Sequence, residues 1–235
     1  MKKYFFGILC FLCFLSSMQA QDAQENFENA KKLLQQSNFT EALKRYEKAC
    51  QLDKSNQEYK KEYMILRQVI KIRKYLPKES NPERWTSMAF SLYSFYMQNK
   101  AYEEMAAMAK EIHEKMQSSD SLLLLAESYI ISHQNQEAIN LISKITPCAP
   151  FLQMIYAVAV AREGDLEEGK KLYWELEKEE KKEKKNSFYF FYRASLEALI
   201  GYKETSLKTL AFCFENTPPQ QLPFLKKRTM ESKDF

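Results

Sequence analysis

One short stripe recurs along this chain and decides what it can fold into. It opens with a small or compact residue at Ala42, Met105, Ala138, Gly169 and Ser206. Four residues later stand Tyr46, Ala109, Ile142, Tyr173 and Leu210, and three after those Ala49, Ile112, Ile145, Leu176 and Cys213. Steps of four and three lie on one face of an α-helix, so each stripe is the packing edge of one helix. Twelve residues ahead of each stripe come Ala30, Tyr93, Ala126, Ala157 and Ala194, a mostly small set that lets a preceding helix approach closely. The pattern predicts five helix pairs, with successive stripes 63, 33, 31 and 37 residues apart.

Composition supports the same architecture. The 235 residues include only four glycines and seven prolines, and apolar residues recur three and four apart almost throughout, which excludes a sheet protein. Breaks fall at Ser37-Asn38, Ser80-Asn81-Pro82, Asn99-Lys100, Ser118, Asn135, Thr146-Pro147, Gly164-Asp165, Gly201 and Thr217-Pro218-Pro219, leaving helices of ordinary length between them. With 45% apolar and 28% charged residues the chain can bury a core and is not a disordered tail.

Residues 1–20 stand apart. Lys2 and Lys3 precede the apolar run YFFGILCFLCFL, which ends in Ser16, Ser17 and then Met18-Gln19-Ala20. This is the pattern of a secretory signal peptide cut after Ala20. The run, of roughly 12 residues, is short of the ~20 that a spanning helix needs, so no transmembrane segment is expected after cleavage. The expected location is the periplasm or cell envelope. Removing the leader takes away two lysines and no acids, leaving 33 basic against 31 acidic residues, a balance that gives no case for nucleic acid. Cys50, Cys148 and Cys213 remain, an odd number on stacked units too far apart to pair, so free thiols are expected.

The segment SNFTEALKRYEKACQLD and its later copies, AYEEMAAMAKEIHEKM, NQEAINLISKITPCAP, DLEEGKKLYWELEKEE and YKETSLKTLAFCFENTPP, together with the small residue on each preceding helix, resemble the tetratricopeptide repeat. The family's helix A tryptophan and its glycine are mostly missing, so the copies are degenerate. The resemblance implies an all-α, right-handed helical-hairpin solenoid of about five repeats. It sets a first repeat at 21–56, an irregular basic helical segment at 57–84, four further repeats at 85–218 and a C-terminal capping segment at 219–235. In this family helix A lines the concave surface, and the groove position three residues before the small residue is Phe27, Phe90, Leu123, Met154 and Phe191, with Phe151, Val158, Phe188 and Ile130 beside it. The resemblance thus implies a partner-binding groove of Phe90, Leu123, Phe151, Met154, Val158, Phe188 and Phe191. It suits an apolar helix or extended peptide. The lysines and asparagines that clamp a terminal carboxylate are not there. The same residues would serve equally as plain core, or be covered by the chain's own C-terminal segment.

Charge supplies a second candidate surface. On the helix expected within 57–84, Lys60, Arg67, Lys71 and Lys74 share one side opposite Tyr59, Tyr63, Leu66 and Ile70. They form either a solvated face or a patch for an acidic partner. The run ELEKEEKKEKK at 175–185 alternates opposite charges four apart, as a solvated helix end does. No catalytic pattern emerges. His113 and His133 lack metal-ligand spacing, no glycine-rich phosphate loop or GxSxG elbow is present, and acid pairs such as Glu103-Glu104 and Glu167-Glu168 fall at helix starts where the dipole favours them. The sequence points to a non-catalytic scaffold without cofactor or metal that binds another protein or peptide. The alternatives are an envelope enzyme with unrecognised catalytic residues and a self-associating structural subunit.

Overall fold

The computed structural model describes residues 2–179 and 186–235, with side chains at 18–178 and 186–235. The described residues are all-α. In order come α1 (Lys2–Gln35), α2 (Phe39–Leu52), α3 (Gln57–Tyr75) with a 3-10 turn at Leu76–Lys78, α4 (Pro82–Gln98), α5 (Tyr102–Met116) and α6 (Ser119–Ile131). Then follow α7 (Asn135–Ile142), α8 (Pro150–Arg162), α9 (Leu166–Glu179), α10 (Ser187–Leu199), α11 (Lys203–Glu215) and α12 (Leu222–Glu231). The helices form two compact units, Met1–Met116 and Gln117–Phe235. The charged run at 175–185 falls within the described residues only as far as Glu179; its remainder lies outside them.

The repeat is written most clearly in the turns. Each of the pairs α1/α2, α4/α5, α6/α7, α8/α9 and α10/α11 is joined through one residue in the left-handed region: Ser37 (φ 57°), Lys100 (58°), His133 (58°), Gly164 (95°) and Gly201 (91°). At every turn the following residue donates its N–H to the carbonyl five back, Asn38 to Leu33, Ala101 to Tyr96, Gln134 to Tyr129, Asp165 to Val160 and Tyr202 to Glu197, at 2.7–3.3 Å. The left-handed residue itself donates to the carbonyl three back. That pair of bonds is the Schellman motif, which satisfies carbonyls a helix end would otherwise leave orphaned. Each stripe of the sequence begins five residues beyond its left-handed residue, so turns and stripes share one spacing.

Packing follows the stripes. Ala42, Met105, Ala138, Gly169 and Ser206 are buried, as are Ala30, Tyr93, Ala126, Ala157 and Ala194 on the preceding helices. The twelve-residue offset is a direct contact in the last pair, where Ser206 Oγ donates to the carbonyl of Ala194 at 2.8 Å. At Gly169 a Cβ would meet the Ala161 Cβ at 3.2 Å, which is how closely α9 approaches α8. The third stripe departs from expectation in one place. Helix α7 ends at Ile142, and Ile145 lies half-buried beyond it. Side-chain caps start many of the helices: Asn38, Asn56, Asn81, Ser118 and Asn186 each accept from a first-turn N–H, and Ser118 forms a reciprocal box with Ser121. Such caps contribute about 1 kcal/mol apiece.

The segment at 57–84 holds one helix, α3, then the 3-10 turn and the start of α4, in place of a helix pair, and α3 packs on α2. Phe27 of α1 is stacked between Tyr46 and Tyr59, with ring centres 5.3 and 4.6 Å away, and the Tyr59 hydroxyl donates to Gln24 at 2.7 Å. Arg73 grips Glu111 of α5 through two bonds of 2.9 and 2.5 Å. In the second unit α6 and α10 both pack on α8, setting the first helices of three pairs side by side.

Candidate functional site

Of the five equivalent groove positions, one is open. Phe27 is sealed by Tyr59, Leu123 is half-buried, Met154 and Phe191 are buried, and Phe90 is 37% exposed. Phe90 lies in an open depression of about 590 Å³ between α3 and α4, lined by Ile65, Val69, Ser87, Ser91, Ser94, Phe95 and Gln98. Helical spacing explains the lining, since positions 87, 90, 91, 94 and 98 share one side of α4 while Trp85, Ala89, Leu92, Tyr93 and Tyr96 bury the other. The depression thus offers an aromatic ring amid neutral hydroxyls, with no charged side chain in its wall. The hydroxyl row went unnoticed in the sequence, although its spacing was there to see.

Along the outer edge of α3, Lys60, Arg67, Lys71 and Lys74 are exposed on one side. Met64, 66% exposed, stands among them. Tyr59 and Leu66 are buried opposite, with Tyr63 and Ile70 half-buried. Arg73 is not part of this row: its bonds to Glu111 hold its guanidinium above even the usual arginine range.

In the second unit the expected groove residues Met154, Val158 and Phe191 are buried, and Leu123, Phe151 and Phe188 are half-buried. Phe151, Met154, Val158, Phe188 and Phe191 lie on α8 and α10, and the C-terminal segment meets this face. Leu225 is fully buried, the Phe224 ring stands 6.3 Å from Phe188, and Phe235 stands 5.9 Å from Phe191. The Arg228 guanidinium sits 4.9 Å from the ring centres of both Phe191 and Tyr192, donates to the Tyr192 hydroxyl and lies 3.9 Å from Glu127. Tyr192 in turn donates to Glu127 at 3.2 Å. Asp234 accepts two bonds from Arg162, at 3.0 and 2.6 Å, while Arg162 also donates to the carbonyl of Ile130 at 2.8 Å. This second pair is well enclosed, at 13% and 5% side-chain exposure. Segment 219–235 therefore runs back from α11 to α8 and α6.

The electrostatics follow from that enclosure. Burial pushes the Glu127 carboxyl above its usual range, against the pull of Arg228 and of the Tyr192 hydroxyl. Burial also raises the Tyr192 phenol. His133, at the α6/α7 turn, is held below its usual value by burial and then by Arg162 and Lys233, with Asp234 opposing. Glu127, Arg162, Arg228 and Asp234 were missed in the sequence. The available signal was Glu127 late in the apolar helix SDSLLLLAESYII, whose other charge is Asp120 in the first turn, and Arg162 as the one charge, at the end, of PFLQMIYAVAVAR.

Elsewhere a cavity of about 280 Å³ between α7, α8 and α9 holds Cys148, whose thiol is pushed above its usual range by partial burial. His113 and His133 belong to different units, and among the described residues no three metal-ligating side chains come together. No described helix is long and apolar enough to cross a membrane.

Within each unit the helical hairpins share one turn geometry, consistent with tetratricopeptide-like repeats. No family model matches the chain, and no curated protein matches it in sequence. Two crystal structures are similar in fold. One is a tetratricopeptide repeat protein from Parabacteroides merdae ATCC 43184, at 13% identity over 88% of this chain and 85% of that one, with a TM-score of 0.48. The other is YrrB, a TPR protein with an unusual peptide-binding site, at 16% identity over 88% and 92%, with a TM-score of 0.36.

Proposed function

We propose that this protein is an exported, non-catalytic interaction module that holds a protein partner against the open apolar face of its first unit. The observation that carries this reading is Phe90. Large aromatic side chains at the equivalent positions are covered, whereas Phe90 is 37% and Ile65 36% exposed in one shared depression. Exposed aromatic and aliphatic groups gathered in a concavity are typical anchor sites for a partner side chain. The basic row on α3 beside it favours a partner with an acidic flank, which speeds and orients encounter more than it tightens the complex. Export is supported by the leader and by the burial pattern of α1, where residues 18–22 are exposed and burial starts at Ala23.

A photo-crosslinking amino acid at position 90, with one at exposed Leu207 as control, tests the reading in cells. Cross-linking to one discrete protein from position 90 alone supports it. Equal cross-linking from both positions, or none from position 90, refutes it.

A further inference from the structure

The C-terminal segment meets the second unit as a ligand meets a receptor, not as an apolar lid would. A lid needs only apolar burial, yet this face presents two opposite charges, Glu127 and Arg162, each answered by the segment, through Arg228 and Asp234. Enclosed ion pairs add little net stability, because desolvation cancels most of the attraction; what they fix is direction and register. Here they allow the segment one polarity only, with its arginine at the Glu127–Tyr192 end and its carboxylate at Arg162. The outer side of the segment faces solvent. Lys226, Lys227, Glu231 and Lys233 are exposed, and Met230 is 80% exposed. Helix α12 has ten residues, too few to persist in water without the face it lies on.

We propose that the face formed by α6, α8 and α10 is a second binding site, that residues 222–235 occupy it as an internal competitor, and that its external ligand is an amphipathic segment of a separate protein. The determinants of that ligand are those of the segment itself: a buried leucine, an arginine three residues on, and a carboxylate six beyond the arginine followed by an aromatic ring. Phe188, Phe191 and Tyr192 receive the apolar and cationic groups, and Arg162 receives the carboxylate. Displacement opens the site.

The inference rests on the concave faces being binding surfaces, as in the preceding section. The two tests separate, because this one uses the chain's own segment at the second unit and the cross-link uses position 90 in the first. A fluorescent synthetic peptide of sequence 219–235 is titrated against the full chain and against its R228A/D234A double variant. The variant, still monomeric, is expected to bind the peptide at least tenfold more tightly than the wild type. Adding E127Q and R162Q should remove that gain, and a peptide with arginine and aspartate exchanged should not bind. A folded variant that binds no better than wild type, or binds the exchanged peptide equally, overturns the proposal. A dimer formed by mutual exchange of tails assigns the site to a second copy and overturns the claim for a separate partner. Hydrogen exchange on the wild-type chain decides the matter should the variant not fold. Amides at 222–231 are expected to exchange at least tenfold faster than those of α8 and α10, and exchange in step with those helices makes the segment plain core and overturns the proposal.

Discussion

Three of the five left-handed turn positions carry a side chain. Ser37, Lys100 and His133 adopt φ near 58° where Gly164 and Gly201 meet the same demand without a Cβ. The left-handed region costs an ordinary residue about 1–2 kcal/mol, which the two Schellman bonds and the packing beyond them offset. Ser37→Gly is therefore expected to raise stability by about 0.5–1 kcal/mol. Gly201→Ala, which meets no neighbour within 4 Å and so carries strain alone, should lower it by about 1–2 kcal/mol; urea midpoints compare the two. Backbone bonds impose the turn and residue type only modulates it, which is why no single residue marks the turns in the sequence. His133 adds a pH dependence. Its folded value lies below its ordinary 6.5, so the unfolded chain binds the proton more readily. That contribution to stability is complete above the unfolded value and is lost as pH falls from there through the lower folded value. The urea midpoint should fall as pH drops below about 6.5, and His133→Gln should flatten that slope.

At the scale of elements, helices whose contacts are local were legible and those held by distant partners were not. The stripes located both helices of every pair because each stripe meets a face twelve residues earlier. The two sides of α3 were equally plain, since Tyr59 and Leu66 are buried opposite exposed Lys60 and Lys71. What α3 does with its buried side was not, because Tyr59 seals Phe27 and Arg73 pairs with Glu111, contacts set by the fold. Their weights differ. Tyr59→Ala removes a buried ring and should cost about 3 kcal/mol, as large-to-small core changes do. Arg73→Ala breaks a pair exposed at 40% and 37% and should cost less than about 1 kcal/mol. The course of 219–235 was the least legible, since Arg228 and Asp234 find Glu127 and Arg162 on helices far back in the chain.

The whole molecule has two compact units, one with an apolar depression at Phe90 that is open and one whose apolar face meets the C-terminal segment. Cys50, Cys148 and Cys213 are free thiols among the described residues. The processed chain, denatured without reductant, should therefore titrate three thiols, and fewer would mean an intrachain bridge that the fold does not contain. The central claim concerns the open face, and it is tested most directly by comparing Phe90→Ala with Lys71→Ala for affinity toward the partner cross-linked at position 90, at low and high salt. Losing an aromatic anchor costs about 2 kcal/mol or more, roughly 30-fold in affinity, whereas a rim charge costs less and its effect fades with salt. Phe90→Ala is expected to give a large, salt-insensitive loss with helicity retained, and Lys71→Ala a small, salt-sensitive one. A folded Phe90→Ala that binds normally while Lys71→Ala loses salt-sensitive binding would contradict the central claim and move the working surface to the basic side of α3.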